Sequence, residues 1–156
     1  MKKSSGIIAY KIENHVLKVL LCHFGGPYKR NLDIGGWTLS KGEKDENEKL
    51  IDTAIREFKE ETNLDVKTEI NYLKTKKVSR RKLVIMFYTN SDFDITGCKS
   101  NTFEIEYPKG SNKRETFSEM DKYEWMDINT AKKKIIKNQL FFLEILEQTL
   151  KNKGEI

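Results

Sequence analysis

Three glutamates, Glu57, Glu60 and Glu61, stand within five residues of a segment that reads REFKEETNL. On an α-helix, with about 100° per residue, they occupy positions i, i+3 and i+4 and therefore share one face. Glu57 and Glu61 form a like-charge pair, which destabilises an exposed helix by a few tenths of a kcal/mol and a partly buried one by more. We therefore expect a positive charge to compensate them.

A hard divalent cation is the partner that such carboxylates favour. Mg²⁺ takes carboxylate and carbonyl oxygens, keeps several waters and bridges to substrate phosphates. The chemistry of such a site is usually attack on phosphorus. The alternative is a solvated acidic face, the commonest fate of such a run. Position weakens that alternative, because the glutamates border the predicted apolar stripe of Ile51, Ala54, Ile55 and Phe58 instead of lying opposite it.

Extended upstream, the segment becomes GEKDENEKLIDTAIREFKEETNL, residues 42–64. It resembles the box of the Nudix hydrolase family, which is Gly, five residues, Glu, seven residues, Arg-Glu, an aliphatic, any residue, Glu-Glu, any residue, Gly, an aliphatic. Matching in type and spacing are Gly42, Glu48, Arg56, Glu57, Glu60, Glu61 and Leu64. Phe58 replaces an aliphatic residue and Asn63 replaces the glycine, and we expect neither to disable the site. Before the box, Ser40 stands where proline often precedes Lys-Gly.

The resemblance implies roles for the box residues. Glu57, Glu60 and Glu61 would hold Mg²⁺ or Mn²⁺, with the backbone carbonyl near Lys41 and Gly42 facing the metal. Glu48 would not bind the metal itself but would support the residues that do. Arg56 would orient Glu57 through a charge-assisted hydrogen bond, so that Arg56, Glu57 and Glu60 are the predicted catalytic residues of the box. Plain solvation of Arg56 is the alternative.

Many members of the family carry a further glutamate on a later strand or loop as a general base or extra ligand. The candidates are Glu104 and Glu106, which alternate with Phe103 and Ile105 and project to the same strand face. Glu106 is preferred because it lies farther from the box. A solvent-facing strand edge is the alternative for either residue.

The segment KTKKVSRRK, residues 74–82, packs six cations into nine residues. We predict that Arg80 and Arg81, together with Lys41, bind the phosphates of a substrate. A solvated hairpin turn is the competing interpretation. Aromatic residues of the kind that stack on bases are absent from this segment, which disfavours a nucleic-acid partner.

Apolar runs, turn residues and, at residues 102–107, alternation predict seven strands, at residues 6–12, 16–24, 37–39, 66–73, 83–89, 102–107 and 122–128. A helix is expected to begin at Asp45 or Glu46 and to end at Asn63. A second helix, capped by Asn129 and Thr130, should lead to the apolar residues 140–146. This pattern predicts an α+β fold, and the resemblance implies the Nudix α/β/α sandwich with a mixed β-sheet.

Composition agrees with one domain spanning residues 1–156. The net charge of +5 favours polyanionic partners without choosing among them. Two cysteines outside any metal-binding spacing favour reduced thiols, and no apolar run approaches a membrane span, so we expect a cytoplasmic protein without a membrane partner. A monomer and a homodimer remain equally open.

The resemblance implies metal-dependent hydrolysis of a phosphoanhydride bond in a nucleoside diphosphate linked to another group. A dinucleoside polyphosphate or a nucleoside triphosphate is the preferred substrate. An inositol pyrophosphate, which would use the basic segment, is one alternative. The other is a non-catalytic nucleotide- or RNA-binding module on the same fold, which would be expected to lack box carboxylates, whereas all four are present.

Overall fold

The computed structural model describes residues 1–156 and contains nine strands. The strands are β1 (Lys2–Glu13), β2 (Val16–Phe24), β3 (Trp37–Thr38), β4 (Ser40–Glu43), β5 (Ile70–Ser79), β6 (Lys82–Asn90), β7 (Thr102–Glu106), β8 (Arg114–Ser118) and β9 (Met120–Asp127). Seven of them form a mixed sheet in the order β3-β2-β1-β6-β5, with β4 paired to β1 and β9 to β2. The pair β1–β6 is parallel, and β7–β8 forms a separate hairpin.

Three helices cover the sheet: α1 (Leu50–Thr62), α2 (Ile128–Lys134) and α3 (Leu140–Asn152). Alternate residues of β1 face opposite layers, as the period of two requires. Ile7 and Ala9 pack with Phe58 of α1, whereas Ile8 and Tyr10 join the larger core that includes α3. The α+β architecture with helices on both faces of a mixed sheet is therefore confirmed. No helix has both the length and the apolar character that crossing a membrane requires.

The predicted start of α1 was wrong, while its end was correct. The segment before the helix forms a turn instead, in which the Asp45 backbone N–H donates to the Glu48 carboxylate and Asn47 has a positive φ of 64°. Asn63 adopts the left-handed conformation at φ 65° and its backbone N–H donates to the carbonyl of Lys59. Asparagine thus serves at the helix end in place of glycine.

The buried face of α1 is also rotated from the predicted stripe. Ala54 and Phe58 are buried as expected, but Ile55 is 38% exposed. Glu61 is buried instead, as are Thr53 and Thr62. One carboxylate of the cluster therefore points inward and does not merely border the core.

The basic segment is mainly strand and not a turn, because β5 pairs with β6 along its length and only Arg80 and Arg81 form the turn. The predicted strand 66–73 therefore begins late, at Ile70, and continues through the lysines. Strands β4 and β8 were not predicted. The expected cap at Asn129 and Thr130 is supplied by Asp127, whose carboxylate accepts the Thr130 backbone N–H at 3.0 Å. A short 3₁₀ turn, Lys137–Gln139, separates α2 from α3.

Candidate active site

Strand β4 and helix α1 place the box residues against each other. Ser40 and Gly42 face α1 from β4, and Lys41, which lies between them, faces the other side of the sheet. A Cβ atom built on Gly42 would lie 2.0 Å from Cδ of Glu57. Only glycine therefore leaves room for this carboxylate, which explains why the box needs glycine fifteen residues before its first helical glutamate.

Glu61 is the most deeply buried carboxylate of the site, with 5% of the residue exposed. The Ser40 hydroxyl donates to its Oε2 at 2.8 Å. Burial raises the pKa of Glu61 to about 8, the Ser40 hydrogen bond opposes this rise, and the charge of Glu57 adds to it. The serine that departs from the family's usual proline thus supplies a hydrogen bond to a buried acid.

Glu57 is half-buried, and Glu60 lies nearer to solvent. Burial raises the pKa of Glu57 and the charge of Glu60 raises it further, while the Arg56 guanidinium lowers it. Arg56 Nη1 donates to Glu57 Oε1 at 3.0 Å and lies 3.3 Å from Glu60 Oε1. The protein's own positive charge therefore offsets only part of the repulsion in this cluster.

Arg56 is not solvated but bound on several sides. Its Nε donates to Glu48 Oε2 at 2.8 Å and its Nη2 to Glu48 Oε1 at 3.0 Å, and Nη2 also donates to the carbonyl of Glu43. Arg56, the Thr53 hydroxyl and a backbone N–H together lower the pKa of Glu48 to about 2. Glu48 thus holds the arginine in place, and the arginine reaches forward to Glu57.

Glu104 and Glu106 have partners inside the β7–β8 hairpin. The Nε of Arg114 donates to Glu104 at 2.5 Å. Glu106 accepts backbone N–H groups of Gly110 at 2.8 Å and Asn112 at 3.1 Å, which shapes the hairpin loop. None of these contacts involves α1, so a catalytic role for either residue stays a prediction.

Glu119, which the sequence did not indicate, lies close enough to the box for its charge to act on the box carboxylates. It lies between β8 and β9, and its charge raises the pKa values of Glu57 and Glu61. Glu119 is exposed, but its partial desolvation, followed by the charge of Glu60, raises its pKa.

Backbone hydrogen bonds fix the position of Glu119. Its N–H donates to the carbonyl of Asn101 at 3.0 Å, and the N–H of Asn101 donates to the carbonyl of Glu60 at 2.9 Å. Asn101 therefore ties the Glu119 loop to the end of α1. No spacing in the sequence relates Glu119 to the box, so only the folded chain reveals it.

The predicted substrate-binding residues separate in the structure. Arg80 and Arg81 are exposed in the β5–β6 turn. Lys41 instead lines a cavity of about 40 Å³ on the α3 side of the sheet, and its cationic neighbour there is Lys82. We call this cavity the lysine pocket; its lining is Lys41, Lys82, Val78, Val84, Phe142, Asn138 and Gln139.

The site has the donor set for a divalent cation, although no three His, Cys, Asp or Glu side chains form a ready-made cage. Mg²⁺ is commonly held by one or two carboxylates and keeps its remaining waters. Glu57 and Glu61 offer such a pair, with charge that burial leaves poorly compensated. The buried Ser5 hydroxyl, on the β1 residue paired with Gly42, lacks a hydrogen-bond partner. The residues present therefore fit a hydrated divalent ion.

Several solved structures resemble this fold over nearly the whole chain. An Ap4A hydrolase from C. elegans, solved as a binary complex, is 19% identical with a TM-score of 0.67, covering 97% of this chain and 99% of its own. The NUDIX domain of Shewanella oneidensis NrtR, complexed with ADP ribose, is 18% identical with a TM-score of 0.66, covering 95% and 87%. A mutT/nudix family protein from Listeria innocua is 15% identical with a TM-score of 0.64, covering 98% and 96%. At these identities the likeness concerns the fold alone.

Comparisons based on the sequence give information that these structural similarities do not. No curated protein matches the chain significantly. The model of the NUDIX domain family, however, matches residues 4–144. That span contains the box, nearly all of the sheet and the first turn of α3. The chain therefore belongs to the Nudix family.

Proposed function

We propose that this protein is a metal-dependent pyrophosphohydrolase that cleaves a phosphoanhydride bond in a nucleoside diphosphate linked to another group. The main support for the proposal is that two carboxylates of α1, Glu57 and Glu61, pack against β4. Glu57 fits into the space left by Gly42, and Glu61 is buried beside Ser40 with a raised pKa. Such an arrangement costs free energy unless a cation occupies it.

Glu57, Glu60 and Glu61 would hold Mg²⁺ or Mn²⁺, and the backbone carbonyl near Lys41 remains a candidate ligand. When bound, the ion would supply positive charge to the phosphate oxygens of the substrate and to the attacking water. Arg56 positions Glu57, because its other donors are fixed by Glu48. This pairing keeps the carboxylate pointed at Gly42.

Glu119 is the carboxylate that we favour as the general base. The pKa of Glu119 is raised toward neutral pH, which suits a group that must accept a proton at physiological pH. Water oxygen would attack one phosphorus, the bond from that phosphorus to the bridging oxygen would break, and Glu119 would take the proton from the water. The two products would each retain a phosphate.

A dinucleoside polyphosphate or a nucleoside triphosphate is the substrate class that we propose. The fold resembles an Ap4A hydrolase, which is named for a dinucleoside polyphosphate, and a Nudix domain complexed with ADP ribose, which is a nucleoside diphosphate linked to ribose. An inositol pyrophosphate is the alternative, supported by the exposed cations Arg80 and Arg81.

A panel assay tests the function. Purified protein with Mg²⁺ or Mn²⁺ is incubated with nucleoside triphosphates, nucleotide sugars, dinucleoside polyphosphates and inositol pyrophosphates, and released phosphate products are measured. We expect Glu61→Gln to lower turnover at least 100-fold, whereas Glu144→Gln, an exposed position of α3, retains it. Unchanged turnover in Glu61→Gln would remove the metal-site assignment. Salt-sensitive RNA binding without turnover of any substrate would favour a binding module instead.

A further inference from the structure

The lysine pocket lies on the opposite side of β4 from the glutamates. Lys41 of β4 and Lys82 of β6 stand above a floor formed by Val78, Val84 and Phe142. Strand β1 pairs with both β4 and β6, where Gly6 lies opposite Lys41 and Lys2, four residues earlier, lies opposite Lys82. The pocket is therefore built on paired strands of the sheet.

Both lysines are half-buried, and neither ammonium group forms a hydrogen bond or an ion pair within the protein. Other lysines of the chain differ in this respect: Lys11 and Lys18 each bind a carboxylate. Burial lowers the pKa of Lys41, and the charge of Lys82 lowers it further, while Glu61 and Glu57 raise it. Two neighbouring cations without partners require a compensating anion.

The start of α3 adds to this positive field. Asn138 and Gln139, in the 3₁₀ turn before α3, and Phe142, in the first turn of this 13-residue helix, border the pocket, and no side chain caps the start of the helix. The helix dipole favours an anion at such an end. The Gln139 amide is occupied, since it exchanges hydrogen bonds with Thr38 and accepts the Leu39 backbone N–H at 2.8 Å. Gln139 thus fixes the helix end beside the lysines.

The size of the pocket selects among anions. Its volume of about 40 Å³ holds a few water-sized groups. Pockets for drug-sized molecules usually measure roughly 300–1,000 Å³, so a purine base would not fit without rearrangement. A tetrahedral anion matches both the volume and the paired charges.

We propose that Lys41 and Lys82 bind a phosphate group of the substrate on the α3 side of β4. The identification of the ligand as part of the substrate rests on the proposed function, whereas the anion site itself does not. The substrate would then carry a phosphate beyond the bond that is cleaved. This requirement favours a polyphosphate chain over a simple diphosphate diester.

Binding of inorganic phosphate to the metal-free protein in EDTA tests the anion site without any hydrolysis. Phosphate should raise the melting temperature of the wild type and of Lys77→Met, a control that removes the same charge from exposed β5. Lys41→Met and Lys82→Met should each weaken phosphate binding at least tenfold by calorimetry. Without phosphate, Lys82→Met should melt no lower than the wild type, because a repulsion has been removed. Equal phosphate binding in wild type and Lys82→Met, or equal loss in Lys77→Met, would overturn the site.

Steady-state kinetics tests whether the anion belongs to the substrate. With the best substrate of the panel, Lys82→Met should raise KM at least tenfold and change kcat less than threefold. An unchanged KM, together with lost phosphate binding, would overturn the assignment to the substrate. Absence of turnover in the wild type would instead count against the proposed function, while the phosphate-binding result stands by itself.

Discussion

The Glu57 carboxylate occupies the space that a side chain at Gly42 would fill. The two residues lie on different elements, β4 and α1, and a Cβ on Gly42 would lie 2.0 Å from Cδ and 2.2 Å from both oxygens of Glu57. Distances under 3.0 Å essentially never occur at a Cβ atom, so one of the two groups would have to move. The glycine of the box is therefore needed to leave space for the Glu57 carboxylate and not to allow an unusual backbone conformation.

Gly42→Ala is expected to lower turnover at least 100-fold while leaving the fold intact. The methyl group displaces the Glu57 carboxylate, and crowding of this kind typically costs about 1–3 kcal/mol of unfolding free energy. Gly97→Ala is the matched control, because a Cβ there meets nothing within 4 Å. Turnover and melting temperature are measured for both variants. A Gly42→Ala protein with wild-type turnover would show that the position of Glu57 does not matter.

The buried acid Glu61 should make the metal-free protein less stable as pH rises. Its folded pKa of about 8 exceeds its ordinary value of 4.5, so between these values the folded state keeps a proton that the unfolded chain releases. The contribution of Glu61 to the free energy of unfolding is therefore fully present below pH 4.5 and is lost as the pH rises from 4.5 through 8. The loss is on the order of 5 kcal/mol of unfolding free energy, since each of the roughly 3.5 pKa units corresponds to about 1.4 kcal/mol.

Urea unfolding of the metal-free protein between pH 5 and about 9 measures this effect. Glu61→Gln, which has no titrating carboxyl, should show a flatter profile than the wild type. Mg²⁺ or Mn²⁺ should restore stability at high pH in the wild type only. Parallel profiles for the two proteins would mean that Glu61 is ionised in the fold at neutral pH.

Local patterns in the sequence predicted those parts of the site that one continuous segment contains. The fixed offsets from Gly42 to Glu61 run from the end of β4 through one turn into α1, and Asn63 ends that helix by its own backbone conformation. Continuous apolar runs predicted β1 and β2, because the middle of each strand is buried on both faces. The rotation of the buried face of α1 was not predicted, because the stripe was defined by four apolar side chains, of which packing buries only Ala54 and Phe58.

Contacts between distant segments determine the rest, and a single sequence carries little signal for them. Glu119 reaches the box through the backbone of Asn101, a contact that depends on no side-chain type. Lys41 and Lys82 meet because β1 pairs with both of their strands. Lysines of β5 that seemed to belong to a turn are in a strand because pairing with β6 outweighs their local preference.

Arg56→Lys should lower kcat roughly tenfold to a hundredfold, although it keeps the charge. Arginine binds Glu48 with two donors at 2.8 and 3.0 Å and uses a third nitrogen for Glu57. A lysine ammonium cannot reproduce that planar fork. Lys59→Arg, on the same helix but exposed, is the control and should retain activity. If Arg56→Lys matches the wild type in kcat, the arginine acts only through its charge.

Glu119→Gln discriminates among the three candidates for the general base. The charge of Glu119 interacts with the three glutamates of α1. Glu104 and Glu106 instead form hydrogen bonds within their own hairpin. A positioned general base typically contributes 10²–10⁴-fold to a rate, so we expect Glu119→Gln to lower kcat by at least about 100-fold. Glu104→Gln and Glu106→Gln should each change kcat less than about fivefold. The limb of the pH–rate profile that reports the base should disappear in Glu119→Gln and persist in the other two variants. A large loss confined to Glu106→Gln would transfer the role to the hairpin, and it would require that hairpin to move toward α1 when substrate binds.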